Sequence, residues 1–510
     1  MSHLLLVLPL LIPLFGAILC LFFWYRPGAQ KILSLLSQLG LVSAAVWLLL
    51  QVNSEEILTT QIGNWPAPFG ITLVADLFGS LMVLSSSLVG LALLVYSLRG
   101  LDAPRQRFGY YPLLLMLQLG IGGACLTGDL FNLFVWFEVL LICCFVLISL
   151  GGTRAQLEGS IKYVTINILA SSFLLMGIGV VYGILGTLNM AELAQLVRAP
   201  DTNTSLIPMA GMFFLVALGI KAAVFPLFFW LPASYHTPPI AISAFIGGLL
   251  TKVGVYALVR VFTLIFAIDL DRTLPLIMLI SGLTMLIGVL GAAAQTDFRK
   301  ILSFHIISQI GYMIMGLSLF TPLALAGTIF FIIHNILVKT NLFLISGVVA
   351  QRHKSFALPF LGGAYLLQPV LALLFVLSAF SLAGIPPFSG FWGKFMLAKG
   401  GFEAGQWLLV GTSLGVSLLT VFSMTKIWNE VFWKNKPQEE GAPSQARELP
   451  EESPAERRTR RLMYVPVLFL SGLIVCMGLY ADPLISLSQR AAEQLLNSDV
   501  YINAVMYPPK

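Results

Sequence analysis

Leu215-Val-Ala-Leu-Gly-Ile-Lys221-Ala-Ala-Val-Phe-Pro226-Leu-Phe-Phe-Trp-Leu-Pro-Ala-Ser-Tyr-His-Thr-Pro-Pro-Ile240 is an apolar helical stretch with a lysine in its middle and a proline five residues later. Both are costly at membrane depth. The ammonium must be dehydrated or find water, and Pro226 removes a backbone donor and crowds the preceding turn, so carbonyls near Lys221 lose their partners. A broken helix persists in a bilayer only where protein or a water-filled cavity meets the freed backbone groups. Lys221 is therefore read as the centre of a buried hydrophilic path. Snorkelling to a headgroup is the blander reading, and about ten apolar residues on either side of the lysine argue against it.

The rest of the chain agrees with a membrane setting. With 58 % hydrophobic and 10 % charged residues in 510, and a mean hydropathy of +0.91, a soluble globule could not cover its surface. The net charge of +6 and pI near 9.0 reflect basic residues in short loops, where they act as topology signals, and no nucleic-acid motif accompanies them. Cys20, Cys125, Cys143, Cys144 and Cys476 lie within apolar runs without metal-ligand spacing. Each reads as a small buried hydrophobe, with neither disulfide nor zinc expected. The first run, His3 to Tyr25, lacks a basic leader and a small-residue cleavage site, and is expected to be a retained helix.

Apolar windows long enough to span a bilayer fall at 3–25, 31–51, 71–98, 109–126, 128–150, 161–187, 207–231, 238–266, 273–295, 300–319, 321–349, 366–398, 405–433 and 462–481. The fold class is thus an all-α polytopic membrane protein of about fourteen transmembrane helices. Odd-numbered loops carry eighteen Lys and Arg and even-numbered loops three. That asymmetry predicts a multi-pass protein of the cell membrane with odd loops in the cytoplasm and both termini outside. Residues 434–461, mixed in Pro, Glu, Gln, Ala and Arg, read as a charged cytoplasmic loop, and residues 462–510 as helix 14 with an outer C-terminal segment. Within that segment Leu484, Leu487, Ala491 and Leu495 recur at helical spacing, as in a short amphipathic surface helix.

A second broken helix occurs at Ala383-Gly-Ile-Pro-Pro-Phe-Ser-Gly-Phe-Trp-Gly-Lys394. It belongs to helix 12, five helices after helix 7. Because five is odd, two repeats would enter the membrane from opposite sides: helices 4–8 (residues 109–266) and helices 9–13 (residues 273–433), preceded by helices 1–3 (residues 1–108). Inverted repeats with paired discontinuous helices mark ion-translocating transporters.

Other ionisable residues near span centres are Glu138, Lys252, His334, Lys339 and Lys394. Each buried lysine costs ~2.5 to 3.5 kcal/mol on insertion, so the four represent ~10 to 14 kcal/mol before any partner is counted, against a reading as structural ion pairs alone. Glu138 is the acidic residue near a span centre and the expected counter-charge of Lys221. His334 is read as a possible relay with Lys339 further along the same helix, and His305 as a hydrogen-bonded core histidine. Asp76 and Asp129 are expected to be interfacial or capping residues.

The segment Thr296-Asp-Phe-Arg-Lys-Ile-Leu-Ser-Phe-His-Ile-Ile-Ser-Gln-Ile-Gly-Tyr312, together with Ser381-Leu-Ala-Gly-Ile-Pro-Pro-Phe-Ser-Gly-Phe-Trp-Gly-Lys394, resembles the antiporter-like subunits shared by proton-pumping NADH dehydrogenase (complex I) and the multisubunit Mrp-type cation/proton antiporters. The likeness spans helices 3 to 13, and Phe225 to Pro239 followed by Leu250 to Leu258 most resembles the Mrp branch. The resemblance implies a buried glutamate on helix 5, lysines on broken helix 7 and on helix 8, and a lysine on broken helix 12. Glu138, Lys221, Lys252 and Lys394 match these positions, although some complex I subunits carry glutamate on helix 12. It further implies a proton-translocating subunit of a Na+/proton antiporter, working with the other subunits of a Mrp complex in the lipid bilayer and needing no cofactor or metal of its own. The alternative is the equivalent subunit of a respiratory NADH dehydrogenase or membrane-bound hydrogenase. Haem-type histidine pairs, cysteine clusters and an HExxH motif are absent from the sequence, against a membrane redox enzyme or metalloprotease. A scaffold would account for neither broken helix. Nor does the sequence pair two buried carboxylates at helical spacing to hold a sodium ion.

Overall fold

The structure, a computed structural model, describes residues 2–199, 205–268, 270–435 and 454–507. The chain opens with α1 (Ser2–Phe22) and α2 (Pro27–Glu55) and then forms a hairpin of β1 (Leu58–Gln61) and β2 (Thr72–Ala75), antiparallel with Leu58 opposite Ala75. Next come α3 (Leu77–Gly100), α4 (Tyr111–Leu126), α5 (Leu130–Ser149) and α6 (Arg154–Leu185). The seventh helix is split into α7a (Ile207–Ala222) and α7b (Trp230–Ser234). After it come α8 (Ile240–Leu264), α9 (Leu270–Ala294), α10 (Phe298–Leu319) and α11 (Pro322–His353). The twelfth is likewise split into α12a (Pro369–Ala383) and α12b (Ser389–Glu403), followed by α13 (Trp407–Ile427), α14 (Pro454–Leu479), α15 (Asp482–Leu496) and α16 (Ser498–Met506). Among the described residues, twelve helices are long and apolar enough to cross a membrane, and the two shorter apolar helices are α7a and α12a.

The apolar windows of α8 and α11 are buried throughout and that of α10 nearly so, whereas α1, α2, α6, α9, α13 and α14 turn more than half of theirs outward. Charges on the central helices are thus shielded from lipid by other helices. Close approach is possible at Gly254 of α8, where a Cβ would come within 2.9 Å of the Lys221 carbonyl carbon and 2.8 Å of the Ala222 nitrogen.

Several boundaries differ from the sequence reading. Within residues 71–75, predicted as the start of helix 3, Thr72–Ala75 form β2, because Thr72-Leu-Val-Ala pairs with residues 58–61 before Asp76 caps the helix. An unbroken apolar run does not tell a strand from a helix. The all-α expectation therefore needs this one hairpin added. Helix α6 begins seven residues earlier than predicted, at a capping box in which Thr153 and Gln156 bond reciprocally. The short helix Met190–Arg198 and α16 were not foreseen; they pack together on the hairpin face. The amphipathic helix materialises as α15, but its apolar side packs on α11 and α3. All five cysteines are free, and Cys476 is exposed rather than buried. Most of the predicted charged loop, residues 436–453, lies outside the described residues.

Candidate functional site

Helix α7a stops at Ala222 because Ala223 turns left-handed (φ 61°) and Pro226 follows. At the stop Ile220 O accepts a tight bond from the Ala223 N–H at 3.0 Å and a second from the indole Nε1 of Trp230, first residue of α7b, at 3.1 Å. Lys221 is therefore not needed as that carbonyl's donor, and its ammonium sits in the last turn of α7a, where the helix dipole favours a cation. Its Nζ donates to Ser171 Oγ of α6 at 3.2 Å, and Ser171 Oγ in turn donates to Glu138 Oε1 of α5. The expected Glu138–Lys221 pair is thus bridged by a hydroxyl that is donor and acceptor at once. The ammonium also lies 4.8 Å from the centre of the Phe137 ring. A cavity of about 20 Å³ lined by Lys221, Asn167 and Tyr163 adjoins it, room for one water molecule.

Lys252 follows a π-turn at Ile246–Leu250 in α8, and its Nζ donates to Gly247 O at 2.7 Å. Such turns displace a carbonyl from the helical ladder and recur at functional sites. On α11, Lys339 is fully buried without a hydrogen-bond partner among the described residues, within electrostatic reach of both Lys252 and Lys394. Five residues earlier on the same helix, His334 shares a hydrogen bond between Nδ1 and Ser389 Oγ at 2.9 Å, and Ser389 continues to Ser381 at 2.8 Å. His334 therefore joins α11 to the break in α12. Around these residues His334 Nε2, both ring nitrogens of His305, both amide atoms of Gln309 and Asn335 Oδ1 are buried with no partner among the described residues. The expectation that His305 is hydrogen-bonded within the core does not hold. Buried polar groups of this kind are ordinarily met by ordered water.

At the second break α12a ends at Ala383 and Gly384 turns left-handed (φ 86°). Lys394 of α12b reaches back across the break: its Nζ donates to Ala383 O at 2.9 Å and to Ser417 Oγ of α13 at 3.1 Å. It also lies 4.6 Å from the centre of the Tyr312 ring, whose hydroxyl bonds Ser417 Oγ at 2.8 Å. Glu138 and Lys221 thus form one cluster, Lys394 and His334 flank the other break, and Lys252 and Lys339 lie on the two fully buried helices between them.

The sequence reading missed a buried ion pair. Arg260, eight residues after Lys252 on α8, donates through Nη2 to Asp76 Oδ2 at 2.5 Å and to Tyr256 OH at 3.3 Å. Asp76 does cap α3, accepting from Gly79 N at 2.8 Å, and Asp129 caps α5, accepting from Asn132 N at 2.7 Å. Also missed was Lys426, which donates to Ala293 O and Gln295 O at the end of α9. Both basic residues lie towards the ends of apolar windows, where snorkelling makes a charge unremarked. Among the described residues no three His, Cys, Asp or Glu side chains gather into a metal site.

Residues 127–420, which include both breaks, match the model of the transmembrane family described as NADH:quinone oxidoreductase/Mrp antiporter. The chain belongs to this family. Within it, the chain is 43% identical over 502 residues to the D subunit of the Na+/H+ antiporter of Alkalihalophilus pseudofirmus, covering 98% of this chain and 99% of that one. A chain in the structure of the Mrp complex from a Dietzia species superposes with a TM-score of 0.90 at 32% identity, covering 99% of both chains. A chain of respiratory complex I from Thermus thermophilus superposes at 0.73 with 24% identity over 94% of this chain and 99% of that one, a likeness of fold alone. The matched region contains Glu138, Lys221, Lys252, Lys339 and Lys394.

Proposed function

We infer that the chain is the D subunit of a Mrp-type Na+/H+ antiporter complex and that it conducts the proton. Its near-full-length likeness to an antiporter D subunit and to a Mrp-complex chain supports the first part. The observation that carries the second is the Glu138–Ser171–Lys221 bridge at the break in α7. When Lys221 passes a proton to Ser171 Oγ, the serine's own proton moves to Glu138. The lysine becomes neutral, the glutamate becomes a neutral acid, and the serine is regenerated. Reversing the step recharges both. The charge state of Lys221 is felt by Lys252 across the Gly254 contact. Lys339 and His334 hand the change to Lys394, and water in the two breaks carries the proton. In this reading helices 4–8 and 9–13 are inverted repeats, each supplying one break, and both termini face outward with the basic loops in the cytoplasm. The other subunits of the complex supply the acidic groups of a Na+ path.

The test is Na+-dependent proton movement in vesicles holding the full complex. Glu138→Gln is nearly isosteric, so the complex assembles, and antiport is lost because Lys221 has no acceptor for its proton. Wild-type exchange by an assembled Gln variant would reduce the bridge to a structural contact. The purified chain alone in liposomes is expected to show no Na+-driven pH change.

A further inference from the structure

We propose that Arg260 seals the end of the proton path nearest the β hairpin and α16, by occupying oxygens that would otherwise accept a proton from that side. Lys252, Tyr256 and Arg260 recur every fourth residue on α8 and so share one stripe of a helix whose apolar window is buried throughout. Eight residues separate the lysine from the arginine, ~12 Å along the axis. Lys252 is fully buried, whereas Arg260 is 6% exposed and marks where the stripe comes to the surface. Thr251 Oγ1, beside the lysine, and Ser80 Oγ, one turn into α3 from Asp76, are fully buried with no partner among the described residues. Buried hydroxyls of this kind are met by ordered water. The Asp76–Arg260 contact is therefore what closes a polar stripe leading inward to Lys252.

The geometry of the contact suits a seal. Arg260 Nη2 donates to Asp76 Oδ2 and to Tyr256 OH, and Tyr256 OH in turn donates to Cys125 O in the last turn of α4 at 2.7 Å. The guanidinium lies 5.5 Å from the ring centres of both Tyr256 and Tyr501, so α8 and α16 hold it from two directions. It stays protonated at any accessible pH, and a fixed arginine is one of the means by which pores exclude protons and cations. Without it, Asp76 Oδ2 would face the surface as an unpaired carboxylate, able to take a proton from water and release it to the ordered water leading to a neutral Lys252. A purely structural ion pair is the competing account, and the two differ in what each half of the pair does. Structurally, losing either partner breaks the same contact. For a seal, only loss of the arginine opens the path.

The experiment reads proton leak and antiport in the same vesicles holding the full complex. A pH step is imposed in Na+-free potassium buffer with valinomycin, the internal pH is followed with a trapped dye, and Na+ is then added to start exchange. Removing one unit of positive charge ~12 Å from the path lowers the barrier to a proton enough for about a ten-fold faster leak in R260Q. D76N keeps the guanidinium and a capping side chain for α3, and its leak should not rise. R260K and the double variant R260Q/D76N should stay within about two-fold of wild type, since neither leaves the carboxylate uncompensated. If R260Q does not assemble, Y501A, which unclamps the guanidinium without removing a charge, should leak several-fold faster. A leak in D76N or in the double variant equal to that of R260Q overturns the seal, as does no rise in R260Q or, in its place, Y501A. The inference rests on the reading of Lys252 as a proton carrier, so K252M is scored alone and with R260Q. Antiport retained by K252M would refute that reading. Antiport lost in K252M, with the R260Q leak persisting in R260Q/K252M, would leave the reading standing and overturn the seal.

Discussion

The two broken helices share a backbone plan and differ in how they use it. In each, a residue with positive φ ends the first half, Ala223 or Gly384, and a proline follows three residues later, Pro226 or Pro387. Lys221 comes before its break, and Lys394 comes after. At the first break the Ile220 carbonyl accepts from the Ala223 N–H and from the Trp230 indole, so the lysine is available to a hydroxyl and, through it, to a carboxylate. At the second, the lysine itself takes the freed carbonyl, and its other partners are a serine hydroxyl and a tyrosine ring, all neutral. The difference shows that one kind of helix break can serve two electrostatic designs. One charge is balanced by an opposite charge that can itself accept a proton, and the other rests on fixed dipoles.

The largest expected effect comes from removing the proton exchange while keeping the charge. Lys221→Arg leaves a cation facing Ser171 and Glu138, but guanidinium does not release its proton at accessible pH. Antiport should fall to background in a complex whose assembly is verified by co-purification of the partner subunits. Exchange near the wild-type rate between about pH 7 and 9 would make Lys221 a fixed charge and erase the contrast with Lys394.

A smaller loss, still at least about ten-fold, is expected for Lys394→Gln, because proton transfer by a positioned side chain contributes ~10² or more. The glutamine amide can still donate to Ala383 O and Ser417, so the break stays capped and the complex assembles. If the rate is unchanged, Lys394 only plugs a carbonyl. The serines sharpen the comparison further. Hydrogen bonds to charged groups are worth ~1.5 to 3 kcal/mol, so Ser171→Ala, which severs the whole bridge, should cost on the order of ten-fold in antiport rate. Ser417→Ala should cost only about two-fold, since Ala383 O still holds Lys394. A loss of only about two-fold from Ser171→Ala would mean that Ser171 is a bystander.

The smallest effects concern stability. Ala223 carries a side chain in a left-handed conformation, so Ala223→Gly should raise the thermal stability of the complex, with a gain of about 1 kcal/mol at most. Gly384→Ala should lower it, because a Cβ there would come 2.7 Å from Lys394 Cδ. Opposite signs at equivalent positions would bear out the shared backbone plan, and a stability loss in both would break it.

The charged members of the candidate site were legible in the sequence because charge inside an apolar helix is an anomaly that needs no alignment to see. Glu138, Lys221, Lys252, His334, Lys339 and Lys394 all stood out on that ground. Ser171, Trp230, Ser417 and Tyr312 did not, since neutral polar and aromatic residues are common in such helices and nothing in their spacing ties them to a lysine many residues away. The pairing of Arg260 with Asp76 was overlooked for a different reason. Near the ends of apolar windows each has an innocent reading as a snorkelling cation or a helix cap, and their pairing joins residues 184 apart in sequence. The strand at Thr72–Ala75 merged into helix 3 because its partner, residues 58–61, is defined only by pairing.

The apolar surroundings, the apolar spans and the placement of charges within those spans can be read from the sequence, because the cost of transferring side chains and open backbone into hydrocarbon is local and additive along the chain. Tertiary structure alone decided which oxygen each lysine faces: a serine bridging to a carboxylate for Lys221, the broken helix's own carbonyl for Lys394. Those choices depend on which helices lie side by side and on how closely they approach, as at Gly254, and a hydrogen bond between distant residues leaves no periodic trace in the chain.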